Sequence, residues 1–521
     1  MMKNIVIIRL GRLGDITLTS PTVKNLRFLY PDSRIVFVTR EQFRPLIGIL
    51  PGADDALTFP DKGSYFDLVN LSARIDEEAP DLIVDLHKNF RSFHLANQTK
   101  APYKVVYKKR RRERRAAVSE KKFSNSVPQT TDLYNIVITM LKGEIVCRRP
   151  DLYVSPQYLF KDKPVREGVA LMPGASSPVK MWPTERFAEL AERLIGDYNV
   201  PINIFLGPGE EELGTYFNHL TPEKITIHQS LPFPKIAESL SGMRLTVTND
   251  SGLMHVSSAV KTPTAALFGP THEQLGFFPL GVHDIMLEVS ETCRPCSLHG
   301  SDPCYREEQY CFTKLTVETI YKKICRQLDD ISLERAVFID RDGTLIVDHN
   351  YLTDPDKIEF IPGALEAVKK LRQAGYRIVI VSNQSGVARS FFPIETVERV
   401  HDRLRQLMRR ADAEPDEIRF CPYHIDGDIE QYTVDHPCRK PRPGMIDEAA
   451  FSLGIDVKRS FMVGDKVSDF KCGRAAGCQS LLVRTGKGAK AVTELPRHVY
   501  LQPDFIGDDL AAAADYIVAN S

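Results

Sequence analysis

No stretch of 18 consecutive apolar residues occurs anywhere in the 521-residue chain, so no segment reads as a membrane-spanning helix. Net charge is missing too. Sixty-eight lysines and arginines balance 68 aspartates and glutamates, which removes any chain-wide attraction to a polyanion, nucleic acid included. Internal repeats and low-complexity tracts are absent. The opening MMKNIVIIRLGRLGD has an apolar run too short for a secretory signal, and no small-residue cleavage site follows. A cytoplasmic location is therefore expected, where the ten cysteines point to metal more than to disulfides. The remainder is ordinary: 43% hydrophobic and 26% charged residues describe a globular chain long enough for about three domains.

Three successive stretches alternate short apolar runs with amphipathic segments, the pattern of parallel α/β layers. In the first, strands are expected at Asn4–Arg9, Arg34–Thr39 and Asp81–Asp85, with a helix over Thr19–Tyr30. In the second, strands are expected at Gly168–Met172, Pro201–Leu206, Leu245–Thr248 and Thr264–Phe268. In the third they fall at Ala336–Ile339, Tyr376–Val381 and Phe461–Val463. The expected domains are residues 1–158, 159–330 and 335–521, with a linker near Asp329–Glu334.

The third stretch carries the densest chemistry. In FIDRDGTL an apolar strand delivers Asp340 and Asp342 to its C-terminal edge, where open α/β sheets bind ligands. Two aspartates at this spacing can divide the labour of nucleophile and acid/base. Ser382 and Asn383 follow the next strand and can donate to phosphate oxygens. Lys440 can neutralise a transferring phosphoryl group. Asp465, after strand FMV, adds a carboxylate for Mg²⁺, and Asp469 stands ready to support it. Each Asp alone could simply shape a turn, but four motifs in this order resemble the haloacid-dehalogenase phosphatases. The segments NYLTDPDKIEF, SNQSGVAR, CRKPRPGM, MVGDKVSD and LVRTGKG extend the resemblance to the D-glycero-D-manno-heptose-1,7-bisphosphate 7-phosphatase family.

That resemblance makes Asp340 the nucleophile and Asp342 the general acid/base. It assigns Mg²⁺ to Asp340, Asp465 and the main-chain carbonyl of Asp342. It assigns substrate contacts to Asn383, Arg439 and Lys440, with histidinol phosphate as the alternative substrate. The family also carries a zinc loop. Here Cys421, His424, His436 and Cys438 would supply a Cys₂His₂ set, although Tyr423 stands where the family has its His and His436 where it has a Cys. A metal-free loop is the alternative.

Residues 1 to about 330 contain no Asp-x-Asp motif of the kind metal-dependent sugar transferases use. PGASSPVKMWP offers a glycine turn, two hydroxyls (Ser176, Ser177) and Lys180 as a phosphate cradle. In NDSGLMHV, Asp250, Ser251 and Gly252 would open a helix whose N–H groups face an anion, with His255 one turn in. Among Glu210–Glu212, Glu210 could hold ribose hydroxyls. Bland readings stand beside these: a core histidine, a solvated helix start. With RLGRLGDITLTSPTVKNLRFLYP and the run through TAALFGPT, the stretch resembles the heptosyltransferases of glycosyltransferase family 9. The resemblance implies a GT-B fold, so the whole chain is expected to be α/β: two Rossmann-like domains, then a Rossmann-like haloacid-dehalogenase domain. It further implies ADP-heptose as donor, an anionic lipid-linked sugar acceptor at the inner membrane face, and Asp15 as the base of an inverting, metal-free transfer. Asp15 also has the place of an N-cap for the following helix.

Two features stay open. The run KKRRRERR (Lys108–Arg115) holds seven cations in eight residues and fits either a solvated loop or the anionic acceptor. Cys293, Cys296, Cys304 and Cys311 fit a metal, oxidation-sensitive thiols or buried structural cysteines. The two resemblances place both activities in heptose metabolism, at steps that are not consecutive, so co-regulation or scaffolding is expected rather than channelling. A different nucleotide sugar, or one half serving as a binding module, are the alternatives.

Overall fold

The structure is a computed structural model that describes residues 2–123, 129–153, 166–331 and 333–520. The chain divides into two compact units, one ending at Asp330 and the other beginning at Ile331. The expected boundary at 158/159 lies outside the described residues.

The first unit holds two parallel sheets. One contains β1 (Asn4–Ile8), β2 (Arg34–Arg40), β3 (Asp55–Phe59), β4 (Leu82–Asp85) and β5 (Tyr103–Val106) in the order β3-β2-β1-β4-β5. The other contains β6 (Val169–Met172), β7 (Ile202–Leu206), β8 (Ile225–Gln229), β9 (Leu245–Asn249), β10 (Thr264–Leu267) and β11 (Ile285–Leu287) in the order β11-β10-β9-β6-β7-β8. Their continuous apolar sequences follow from burial on both faces. In β1, Ile5 and Ile7 enter one core with Ile35, Phe37, Leu82 and Val84, while Val6 and Ile8 enter another with Val36, Val38 and Ile83. The two halves share a core as well, since Ala170, Met172, Phe205 and Val256 pack into the cluster that holds Ile5 and Ile7.

The second unit is one parallel sheet of β12 (Arg335–Ile339), β13 (Tyr376–Asn383), β14 (Glu417–Cys421), β15 (Phe461–Gly464), β16 (Gln479–Val483) and β17 (Phe505–Gly507), ordered β14-β13-β12-β15-β16-β17. Val337, Ile339, Ile378, Ile380, Phe461 and Val463 form its core beneath the final helix, Leu510–Ala519, which Asp509 caps through the Ala512 N–H.

Three local expectations need correction. The expected helix over Thr19–Tyr30 is preceded by a short one, Leu13–Thr17, with Arg12 in its N-cap position, so Asp15 sits inside a first turn, where its carboxylate accepts from the Arg12 N–H. Ser382 and Asn383 are the last residues of β13 itself, because both still pair with β14. The basic run is not a loop throughout: from Arg111 it is helical to Ser119, with Arg114 half-buried over the Phe277 ring.

Candidate functional site

In the first unit the C-terminal ends of β1, β4, β6, β7 and β9 deliver chain to a cavity of about 610 Å³ between the two sheets' loops. Helix Leu13–Thr17 meets helix Gly252–Ala259 there, and the approach requires glycine. A Cβ on Gly14 would stand 2.6 Å from His255 Cδ2 and 3.3 Å from Gly252 Cα. Asp15 lines this cavity, with Arg9 Nη2 2.5 Å from its Oδ2. Burial alone would push the Asp15 carboxyl up, but the guanidinium more than offsets it, and Asp15 lies below the ordinary carboxylate range. Arg9 is fixed in turn by donating to Leu86 O at 2.9 Å.

Lys180 reaches the cavity at the end of the PGASSPVK turn and pairs with Asp250 Oδ2 at 2.8 Å; Thr271 Oγ1 donates to the same oxygen at 2.8 Å. Asp250 thus holds Lys180 at the cavity wall. Ser176, Ser251 and Gly252 line the cavity; Ser177 does not. Asn249 braces both turns, accepting from Trp182 N at 3.0 Å and donating to Pro173 O at 2.7 Å. Glu210 is half-buried, accepts from Gly207 N at 2.8 Å, and is pushed up by burial. Gly174 makes room for it, since a Cβ there would fall 2.1 Å from that carboxylate. His255 is buried and its imidazole is driven by burial down to about 4, so it is neutral at ordinary pH.

In the second unit, the ends of β12, β13 and β15 bring the predicted set together. Lys440 Nζ lies 2.6 Å from Asp340 Oδ1 and 2.8 Å from Asp469 Oδ1, and donates to Val381 O. Asp340, Asp465 and Asp469 have carboxylate oxygens within 4.8 Å of one another, and among the described residues this is the only such group of His, Cys, Asp and Glu atoms. Burial favours the acid form of all three. Lys440 and Lys466 override it at Asp340, which is held low, whereas Asp465 is pushed up to about 7 by burial and by Asp340. The oxygens expected to hold Mg²⁺ already surround one cation. Lys466 Nζ stands 3.4 Å from Asp340 Oδ2, 3.3 Å from Asp465 Oδ1 and 3.1 Å from Asp342 O. An ammonium accepted by those three oxygens shows that the donor set fits a hard cation.

Asp342 is gripped from behind. Arg341 Nη2 lies 3.0 Å from its Oδ2, Gln384 Nε2 donates to it at 3.0 Å and Ser382 Oγ at 3.3 Å. The buried Arg341 contacts His401 Nε2 at 3.0 Å on its far side. Two of the residues expected at the substrate are also engaged within the protein. Asn383 spends both ends of its amide on Lys440, accepting from its N and donating to its O, each at 3.0 Å, so it positions that lysine. Arg439 donates to Tyr423 O.

The zinc set is not assembled. His436 Nδ1 lies 2.9 Å from Cys438 Sγ and Cys421 hydrogen-bonds to Cys438, but both ring nitrogens of His424 are engaged elsewhere, with Arg389 and with the Asp426 N–H. His424 comes one residue late in the sequence and Tyr423, in the family's His position, stacks on His436 instead. Cys293, Cys296, Cys304 and Cys311 are all free thiols, the first three on a loop pinned to the cavity wall by Arg294, which donates to Gly269 O and Thr271 O, and Cys311 buried in helix Tyr310–Thr313.

Sequence reasoning missed Arg9, Thr271, Lys466, Arg341, Gln384 and His401. All but His401 stand inside the quoted motifs, and Arg9 and Lys466 carried a further signal: each answers what balances nearby buried carboxylates.

Cavity and carboxylate cluster together define two enzyme classes on one chain, a GT-B glycosyltransferase and a haloacid-dehalogenase hydrolase. The family profile for glycosyltransferase family 9 (heptosyltransferase) matches residues 68–302, and a HAD-hydrolase-like profile matches residues 437–513. A glycosyltransferase family 9 structure from Veillonella parvula superposes with a TM-score of 0.52 at 22% identity, covering 63% of this chain and 98% of that one. The D-glycero-beta-D-manno-heptose-1,7-bisphosphate 7-phosphatase of Pasteurella multocida is 42% identical over 156 residues, 30% of this chain and 84% of the relative. The corresponding D-glycero-D-manno-heptose enzyme of Thermosynechococcus vestitus is 40% identical over 186 residues, 35% of this chain and 94% of the relative. The chain belongs, through its C-terminal unit, to the heptose-1,7-bisphosphate 7-phosphatase family, fused behind a family 9 heptosyltransferase domain.

Proposed function

We propose that the chain is a bifunctional enzyme that hydrolyses the 7-phosphate of D-glycero-D-manno-heptose 1,7-bisphosphate and transfers heptose from ADP-heptose to an anionic, lipid-linked sugar. The observation that carries this reading is the Asp340–Lys440–Asp465 cluster, with both aspartates at strand ends, in a unit 42% identical over 156 residues to a heptose-bisphosphate phosphatase.

In hydrolysis, the Asp340 carboxylate attacks phosphorus in line and the bond to the sugar oxygen breaks, leaving an aspartyl-phosphate. Asp342 gives its proton to the departing oxygen, then takes one from the water that cleaves the acyl phosphate. Lys440 neutralises charge on the phosphoryl oxygens from its seat between Asp340 and Asp469. Mg²⁺, held by Asp340, Asp465 and the Asp342 carbonyl, would supply further neutralisation of the phosphoryl group.

In transfer, Asp15 accepts the proton of the acceptor hydroxyl as it attacks the anomeric carbon, and the ADP diphosphate leaves from the opposite face. Charge growing on that diphosphate meets Lys180 and the N–H groups opening helix Gly252–Ala259. Each cavity carboxylate but Glu210 is already paired with a cation, which supports a transfer that needs no metal. Glu210 is suited to the donor's ribose hydroxyls.

The test is phosphate release with Mg²⁺ from heptose 1,7-bisphosphate, histidinol phosphate and fructose 1,6-bisphosphate, with Asp340→Asn as control. Strong preference for the heptose substrate and an inactive variant are expected. Equal rates on all three would overturn the substrate assignment.

A further inference from the structure

The loop from Cys421 to Lys440 holds two thiols where the family resemblance leads to zinc, and the residues present do not fit that metal. Tetrahedral zinc takes four ligands. Tyr423 occupies one of the four family positions, with its ring stacked 4.2 Å from that of His436. His424 is turned away, its Nε2 3.2 Å from Arg389 Nη2 and its Nδ1 on the Asp426 N–H. What remains is a pair of sulfurs. Cys421 hydrogen-bonds to Cys438, and both side chains are buried.

The pair stands beside the phosphatase machinery. Cys421 is the last residue of β14; it pairs in register with Asn383 of β13, and its carbonyl accepts from Gln384 N at 2.8 Å. Cys438 lies two residues before Lys440, whose N and O are both gripped by Asn383. The sulfur contact and the Asn383 grip therefore run between the same two segments. A bond between the sulfurs closes residues 422–437 into a ring and leaves Lys440 in its seat.

His436 supplies a base. Its Nδ1 accepts the Cys438 N–H at 3.2 Å, so a lone pair faces that residue, and Cys438 Sγ lies 2.9 Å from the same nitrogen. An adjacent base is what turns a thiol into a nucleophile. Cys438 keeps 6% of its surface exposed and Cys421 none, so a small oxidant meets Cys438 first.

We propose that Cys421 and Cys438 are a dithiol that a peroxide converts to a disulfide, closing this loop covalently in place of a metal. The Cys438 proton passes to His436 Nδ1, the thiolate sulfur bonds to one peroxide oxygen and the O–O bond breaks. The departing hydroxide takes that proton and leaves as water. The Cys421 sulfur then attacks the Cys438 sulfenic sulfur, the S–O bond breaks, and the hydroxide leaves as a second water with the Cys421 proton. The two thiols lose two electrons and two protons, and the peroxide gains both.

The test is brief treatment of the full chain with hydrogen peroxide, then alkylation and non-reducing peptide mass mapping. Trypsin releases residues 420–439 as one peptide holding both cysteines and no others. This peptide should become lighter by two hydrogens and closed to alkylation, and dithiothreitol should reverse both changes. Its mass needs no substrate, so a wrong substrate assignment leaves it readable. Phosphate release should be retained and its half-life on heating should lengthen severalfold, because closing a loop of roughly 15 residues restricts the unfolded chain. C421S and C438S should keep phosphate release and show no gain on oxidation. His436→Gln should slow closure severalfold; an unchanged rate would overturn the role of that base. Two free thiols, or a sulfinic acid, in the oxidised peptide would overturn the proposal. So would one zinc per chain that C421S/C438S removes, since the sulfurs would then hold a metal. A disulfide that stops phosphate release would overturn the fixed seat of Lys440.

Discussion

The two sites solve the problem of a buried carboxylate in opposite ways. Around the transferase cavity two of the three carboxylates come in closed pairs: Asp15 with Arg9, Asp250 with Lys180. In the phosphatase unit three carboxylates, Asp340, Asp465 and Asp469, share two ammonium groups, Lys440 and Lys466. The surplus negative charge shows in Asp465, pushed up to about 7, whereas Asp15 is held low. Among the described carboxylates of the transferase cavity, only Glu210 stands outside such a pair. A site with a surplus anion has a place for a divalent cation.

The comparison can be broken outright by Asp340→Asn, which is expected to cut phosphate release roughly 10³-fold or more while heptose transfer stays at its wild-type rate; equal loss of both would mean the units are not independent. Asp15→Asn should do the converse, with a loss of about 10²–10⁴-fold in transfer alone. Chelation with EDTA should stop phosphate release, restored by Mg²⁺, and spare transfer. Transfer that also needs Mg²⁺ would show that closed ion pairs do not dispense with metal.

Arg9→Leu sharpens the contrast. With the guanidinium gone, the largest opposition to burial at Asp15 is removed and its pKa rises, so the acid limb of the transfer pH profile should move upward, the variant losing rate at a pH where wild type keeps it. An unmoved limb would detach Arg9 from Asp15. The smallest effect concerns His255. Its folded pKa, about 4, lies below the usual 6.5, so the unfolded chain takes the proton first; its contribution to stability is complete above about 6.5 and is lost as pH falls toward 4. Thermal melts of His255→Gln should lose less between those pH values than wild type does.

The phosphatase site was legible because its parts are short, fixed in order and placed at strand ends, where an apolar run followed by Asp already states both the strand and its edge. Transferase geometry was harder to read. The ion pair of Asp250 with Lys180 was hidden, because sequence gives no sign that residues 70 apart meet. The hold of Asn383 on Lys440 was hidden for the same reason: the lysine comes from a distant loop. The zinc loop failed on a one-residue register, which turns His424 away although the residue types remain suitable for metal.

Trp182 is the chain's single tryptophan, wholly buried two residues beyond Lys180, with its indole N–H on Leu315 O at 2.8 Å. All indole emission of this two-enzyme chain therefore arises behind the turn that carries Lys180, and the phosphatase unit is dark at that wavelength. The molecule carries its own optical label: one fluorescence trace can follow the opening of the transferase unit, and the filling of its cavity, without a word from the other enzyme.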